Sequence, residues 1–139
     1  MEILEYTHCK EQMENRKLFG MLGEYATSSS IRKKLGGFIS SEPGRRWFVA
    51  TVNRGKRVVG FGSLRFKAAG AELLHLYALD AGKDIPVLER CIEAARETGV
   101  KRIVTTDYAE RKDVYVQSGF RPVRENGRFI RFELELGHD

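Results

Sequence analysis

Ile85-Pro86-Val87-Leu88-Glu89-Arg90-Cys91-Ile92-Glu93-Ala94-Ala95-Arg96-Glu97-Thr98-Gly99-Val100-Lys101-Arg102-Ile103-Val104-Thr105 changes its hydrophobic period partway along. Ile85, Leu88, Cys91, Ile92 and Ala95 share one helical face, and Glu89, Arg90, Glu93, Arg96 and Glu97 point away from it. Asp84 is the expected N-cap, Pro86 falls in the first turn, and Gly99 stands where a helix-ending glycine belongs. Lys101 to Thr105 is then expected to form a short buried strand. The pattern predicts a helix that delivers the chain into a sheet.

Upstream of that helix the chain reads as three strands. Trp47 to Val52 is a run of strand formers, Asn53-Arg54-Gly55-Lys56 is a hairpin turn, and Arg57 to Phe66 returns. Lys67 to Gly70 turns again into Ala71 to Leu79. Connections of about four residues allow only antiparallel neighbours. The helix between Leu79 and Ile103 is the one crossover that can set two strands parallel, so the sheet is expected to be mixed. Downstream, Asp107 with Glu110 resembles a capping box for a helix running to Ser118-Gly119. Phe120 to Arg124, the turn Asn126-Gly127, and Arg128 to Leu136 make a final hairpin, with Ile130, Phe132, Leu134 and Leu136 on its inner face. At the other end, Glu2 to Tyr6 reads as a strand and Cys9 to Tyr25 as a helix. Ser28-Ser29-Ser30 caps a second short helix through Ile31 and Leu35, closed by Gly36-Gly37. The order is β-αα-βββ-α-β-α-ββ: an α/β (α+β mixed) chain with a mixed, mostly antiparallel sheet of about seven strands flanked by helices.

Residues 1–139 are expected to form a single domain, a length that carries a core without staples. No apolar run approaches the ~18 residues of a membrane-crossing helix. Met1-Glu2-Ile3-Leu4-Glu5 is acidic and alternating, unlike a secretory signal. The two cysteines, Cys9 and Cys91, make no disulfide framework, so a reducing cytoplasm is the expected location. His8, Cys9 and His138 are too scattered to argue a metal site. Gly60-Phe61-Gly62 lies inside a strand, lacks a third glycine and opens no helix, so it is no dinucleotide loop.

Two stretches together resemble the GCN5-related N-acetyltransferase (GNAT) superfamily. They are Leu88 to Val104 as quoted above, and Tyr115-Val116-Gln117-Ser118-Gly119-Phe120-Arg121-Pro122-Val123, which is close to that family's Tyr-x-x-x-Gly-Phe ending. The resemblance implies a GNAT-like fold and transfer of an acetyl (acyl) group from acetyl-CoA (acyl-coenzyme A) to an amine acceptor. It implies that the sheet splays between Ala71–Leu79 and Lys101–Thr105 and that a pantetheine arm lies in the gap. Backbone amides of Leu76, Tyr77, Ala78 and Leu79 would hold the arm and polarise the thioester carbonyl. Tyr115 matches the tyrosine that in many members protonates the leaving thiolate. It serves equally as a core tyrosine beside Val114.

The family's Arg/Gln-x-x-Gly-x-Gly/Ala motif is absent. Asp80-Ala81-Gly82-Lys83-Asp84-Ile85-Pro86 stands in its place, about three residues short and with one glycine. An N-capping Asp84 would occupy amides that a pyrophosphate needs, and Pro86 removes another donor. Lys83 is a compensating point charge beside Gly82. Arg111 and Lys112 are alternative phosphate contacts by position, or part of a solvated charged face. For a general base, His75 titrates near neutrality, with a structural role as its alternative. Glu72 matches an acidic position common in the family. Strict alternation would put Leu73, His75, Tyr77 and Leu79 on one face of the strand and Glu72, Leu74, Leu76 and Ala78 on the other. Tyr77 would then line an acceptor pocket or fill the core.

The formal net charge of +5 favours an anionic partner. Basic residues cluster at Arg32-Lys33-Lys34, Arg45-Arg46-Trp47 and Arg54/Lys56/Arg57. An acidic acceptor, an acidic protein or a nucleic acid is the expectation they raise. A degenerate GNAT-like domain that binds such a partner through a basic face, without catalysis, is the alternative to the enzyme. Exposed β-edges near the C-terminal hairpin would allow either a monomer or a dimer.

Overall fold

The computed structural model describes residues 1–8, 20, 22, 23, 33, 41–80 and 82–137. The strands are β1 (Glu2–Thr7), β2 (Arg46–Val52), β3 (Arg57–Lys67) and β4 (Gly70–Ala78), followed by helix α1 (Asp84–Glu97) and β5 (Arg102–Tyr108). A 3-10 turn (Ala109–Arg111) leads into helix α2 (Lys112–Gln117), β6 (Arg121–Asn126) and β7 (Phe129–Glu135). The sheet order is β1-β2-β3-β4-β5-β7-β6. β4 and β5 run parallel, as the α1 crossover requires, and the other neighbours are antiparallel. The helices expected over Cys9–Tyr25 and from Ser28 through Leu35 lie outside the described residues, except that Gly20, Leu22, Gly23 and Lys33 are helical.

Among the described residues, two apolar clusters form on opposite faces of the sheet. The larger packs Val87, Leu88, Cys91, Ile92, Ala94 and Ala95 of α1 against Phe48, Leu64, Leu73, Leu76, Ile103 and Phe132. Each fully buried large side chain is worth roughly 1.5–3 kcal/mol of transfer free energy. Gly62 admits α1 to the sheet, since a Cβ there would meet Leu76, Val87 and Cys91 side chains at 3.2, 3.2 and 3.5 Å. Cys91 is buried, and desolvation drives its thiol far up, so it is an inert core residue. The second cluster gathers Leu22, Trp47, Val49, Phe61 and Tyr77. Among the described residues no helix is long and apolar enough to cross a membrane.

Three local expectations are corrected. Asp84 does not cap α1: Lys83 is the N-cap, no side chain closes the helix end, and the Asp84 carboxylate turns to Arg111. The strand expected to end at Thr105 continues to Tyr108, because β7 supplies ladder partners as far as Phe129. The Asp107 capping box therefore does not form. Asp107 stays in β5, accepts the Tyr108 N–H at 2.7 Å, and leaves only a six-residue α2 beyond the 3-10 turn.

The expected basic surface at Arg45-Arg46-Trp47 is also corrected. Arg45 is 2% exposed and ion-paired to Glu42 at 2.7 Å, Arg46 pairs with Glu5 at 2.7 Å, and Trp47 is fully buried. These side chains pack β2 instead of presenting charge to a partner. Arg32 and Lys34 lie outside the described residues.

Candidate active site

β4 and β5 pair only at Ala71–Ile103 and Glu72–Val104. Beyond that rung each strand stays bonded to its outer neighbour, β4 to β3 as far as Ala78 and β5 to β7 as far as Tyr108. The sheet therefore opens as a V with its closed end at Glu72–Val104. The Thr105 hydroxyl spans the widening with a bond of 2.9 Å to the Leu73 carbonyl.

A bulge helps to open it. Phe61 faces Tyr77 and Ser63 faces Leu74, so His75 and Leu76 together oppose Gly62. His75 takes φ +57°, a left-handed conformation costing a residue with a Cβ roughly 1–2 kcal/mol. The extra residue resets the alternation, which corrects the two-face assignment. Leu73 and Leu76 both reach the α1 core, whereas Tyr77 joins the opposite cluster. His75 stacks on Trp47 on that opposite face, with centroids 6.0 Å apart and rings 6° from parallel. Glu72, directly across from Arg65, shares that face too, so Glu72 and His75 lie on the same side of the sheet.

Backbone groups alternate sides along a strand. The Leu79 N–H donates to the Val59 carbonyl at 2.9 Å, whereas the Leu76 carbonyl faces the gap. Tyr77 and Leu79 therefore direct their amides to β3, and Leu76 and Ala78 direct theirs into the V. Gly82, at φ +84°, and Lys83 are exposed on the loop above.

A charged network lies within the opening. Arg111 Nη1 donates to the Leu76 carbonyl at 2.6 Å and to Asp107 Oδ2 at 2.7 Å, and Nη2 donates to Asp84 Oδ2 at 3.0 Å. One guanidinium thus ties together β4, β5 and the start of α1. Tyr115, 1% exposed, donates its O–H to Asp107 Oδ2 at 2.5 Å, with its ring stacked on Phe132. Burial pushes the Asp107 carboxyl above its ordinary range, against the pull of Arg111, Tyr115 and the Tyr108 N–H. Burial and the Asp107 charge hold the Tyr115 phenol well above the ordinary value. Burial opposes the Arg111 charge, yet Asp107, Tyr115 and Asp84 outweigh it and raise its pKa. Asp84 Oδ1 is buried with no hydrogen-bond partner among the described residues.

Glu72 is in a different position. Burial pushes its carboxyl up, but hydrogen bonds from Lys67 and Arg65, each at 2.9 Å, outweigh burial and leave it below the usual range. It is a fixed anion at neutral pH. Of the residues singled out in the sequence, Leu76, Ala78, Arg111 and Tyr115 meet at or beneath the V. His75 and Tyr77 lie behind it on the Trp47 face, Glu72 at its closed end, and Leu79, Gly82 and Lys83 toward its rim. Lys112 is exposed on α2. Asp107 was missed as a site residue. The equal spacing of Asp107, Arg111 and Tyr115 was its visible signal.

This architecture is the GNAT fold. The chain superposes on TofI in an apo form with a TM-score of 0.73 at 14% identity, covering 98% of this chain and 91% of that one. ElaA from Escherichia coli gives 0.71 at 14% identity, over 96% and 99%. The PaiA N-acetyltransferase from Thermoplasma acidophilum, solved with coenzyme A, gives 0.69 at 17%, over 97% and 99%. No family model matches the sequence, and neither does any curated protein.

Proposed function

We propose that this chain transfers an acetyl or related acyl group from acyl-coenzyme A to an amine. The observation that carries this reading is the V between β4 and β5, with the amides of Leu76 and Ala78 turned into it. Such an opening is a short strand edge with donors to spare. A pantetheine arm, itself built of amides, complements that edge. A backbone N–H pointing at the thioester carbonyl stabilises the charge that develops when an amine attacks. The coenzyme A in the PaiA structure supports the same donor class here.

The phosphate end would rest on Lys83 and Gly82 more than on the amides at the start of α1. Asp84 bonds to Arg111 and makes no cap bond, but the Lys83 and Ile85 N–H groups already donate to the Asp80 and Gly82 carbonyls at 3.2 and 3.4 Å. Gly82 and Lys83 stand at that helix start, and Pro86 lacks a donor. His75 is the base or water-positioning group in this reading, and Tyr77 packs in the Trp47 cluster behind it. Glu72, held ionised by two cations, acts through its field and not as a proton acceptor.

Tyr115 is better suited to hold Asp107 than to protonate a thiolate, because its proton is already committed to a buried carboxylate. Tyr115→Phe is accordingly expected to cost about 1.5–3 kcal/mol of stability, the range for a hydrogen bond to a charged group. Turnover should fall by less than about tenfold. General-acid catalysis is worth roughly 100-fold or more, so a loss of that size at unchanged melting temperature would instead make Tyr115 the proton donor.

The experiment that tests the function is thermal unfolding with acetyl-coenzyme A. A ligand at ~100 times its dissociation constant adds about 2.7 kcal/mol, which raises the midpoint of a domain this size by several degrees. Millimolar ligand with no shift would defeat the acyl-coenzyme A reading. One observation favours the second reading, a non-catalytic binding module: Arg111 already occupies the Leu76 carbonyl inside the V. That reading would inherit the fold if the shift is absent.

A further inference from the structure

On the face of the sheet away from α1, the closed end of the V borders a pocket of about 250 Å³. Lys67, Gly70, Glu72, Arg102, Val104 and Arg131 line it, and its floor is the Glu72–Val104 rung. Gly70 makes this arrangement possible. A Cβ there would sit 2.7 Å from the Arg102 carbonyl oxygen, so only glycine lets the β3–β4 turn close against β5 and bring Lys67 beside Arg102.

The charges around the pocket do not balance. Glu72 is engaged by Arg65 and Lys67. Arg102 and Arg131 approach the same oxygen, Glu133 Oε1, each at 3.9 Å. That distance is beyond hydrogen bonding, so neither guanidinium directs a donor at it. On the far side, β6 places Arg124 directly opposite Arg131. Like charges in that register destabilise a sheet. Arg124 and Arg131 are both exposed, so core packing does not demand them. Lys67, Arg102 and Arg131 thus line the pocket with one carboxylate, Glu72, while Glu133 and Glu135 only flank the two guanidiniums, an excess of positive charge that an additional anion would relieve. Planar guanidinium forks are suited to carboxylate and phosphate oxygens.

We propose that this pocket binds a carboxylate or phosphate group and that the group belongs to the acyl acceptor. The second half rests on the acyl-transfer reading; the first stands alone. Glu72 and Leu76 are four residues apart on one strand, which puts the pocket about 10–13 Å from the Leu76 amide in the V. His75 lies between them on the same face. The acceptor is therefore an acidic amine, a small molecule or short peptide whose amino and acid groups stand about 10 Å apart when extended.

Anion binding is measured by thermal unfolding with inorganic phosphate and, separately, succinate, against sodium chloride at equal ionic strength. The wild-type chain is expected to show a saturable shift with at least one of the two beyond that of chloride, and the stronger probe separates phosphate from carboxylate preference. The Arg102→Gln/Arg131→Gln double variant should bind at least tenfold more weakly. Glu133→Gln, which removes a competing carboxylate, should bind more tightly. Shifts no larger than chloride's, or shifts the double variant leaves intact, would overturn the site. The acceptor assignment is read from acetyl-coenzyme A-dependent thiol release with acidic amines and their neutral methyl esters. The esters, and the double variant with the acids, should raise KM at least tenfold with kcat little changed. Equal KM values for acid and ester would overturn that assignment. Thiol release without anion binding removes this proposal alone. Anion binding without an acetyl-coenzyme A shift removes the transfer reading and the acceptor assignment with it, and leaves the anion site standing.

Discussion

Arg111→Ala is expected to destabilise the chain by about 3 kcal/mol, a loss of roughly 10 °C in melting temperature. The figure is the lower end for breaking a buried ion pair, because the Arg111 side chain keeps 21% of its surface exposed. The substitution leaves two carboxylates, Asp84 and Asp107, facing each other without the cation that both contact, and strips the Leu76 carbonyl of its donor. The defect should depend on pH. Burial already holds the Asp107 carboxyl above its unfolded value, and removing Arg111 raises it further. A folded-state pKa above the unfolded one means that the folded chain binds the extra proton. Its stability therefore falls as pH rises through that interval and recovers on acidification. The gap between wild type and variant should be wider at pH 8 than at pH 4.5 in chemical denaturation. A gap of less than 1 kcal/mol at both values would show that the network is not what ties β4, β5 and α1 together. Arg111→Lys keeps the charge but lacks the planar fork that reaches three acceptors, so it should restore only part of the loss.

Ala78→Pro should abolish most of the proposed chemistry while sparing the fold. Its N–H points into the V, so proline removes no β3–β4 bond and sits where an edge residue would. Losing one preorganised donor typically costs 100-fold to 1,000-fold in turnover. The expected result is a fall of that size in coenzyme release, with a melting temperature near that of wild type. Leu79→Pro is the control. It removes the N–H that donates to Val59 and should lower stability instead. Unchanged turnover in a folded Ala78→Pro chain would exclude the V as the acyl site.

Much of this architecture was legible beforehand. The change of period at Ile85–Thr105 implied a helix entering a strand, and the short turns around Trp47–Leu79 implied a meander. Ile130, Phe132 and Leu134 alternate inward as expected. The site was less legible. A bulge leaves no mark in alternation read along one strand, because the extra residue exists only relative to β3. Hence His75 and Glu72 were placed on opposite faces, although they share one. Asp84 looked like a cap because aspartate before a helix commonly is one, yet its partner stands at Arg111, 27 positions away. The opposition of Arg124 and Arg131 likewise depends on a register shift between Pro122 and Arg124.

From Arg46 onward the sequence by itself determined the order of strands and helices, though not where β5 ends, since periodicity and turn chemistry act over a few residues. It also determined that one crossover makes the sheet mixed. Only the tertiary structure decided where the sheet parts, which amides face the opening and which charges meet across it. Those follow from strand register and from contacts between distant segments, where a shift of one residue turns a side chain to the other face.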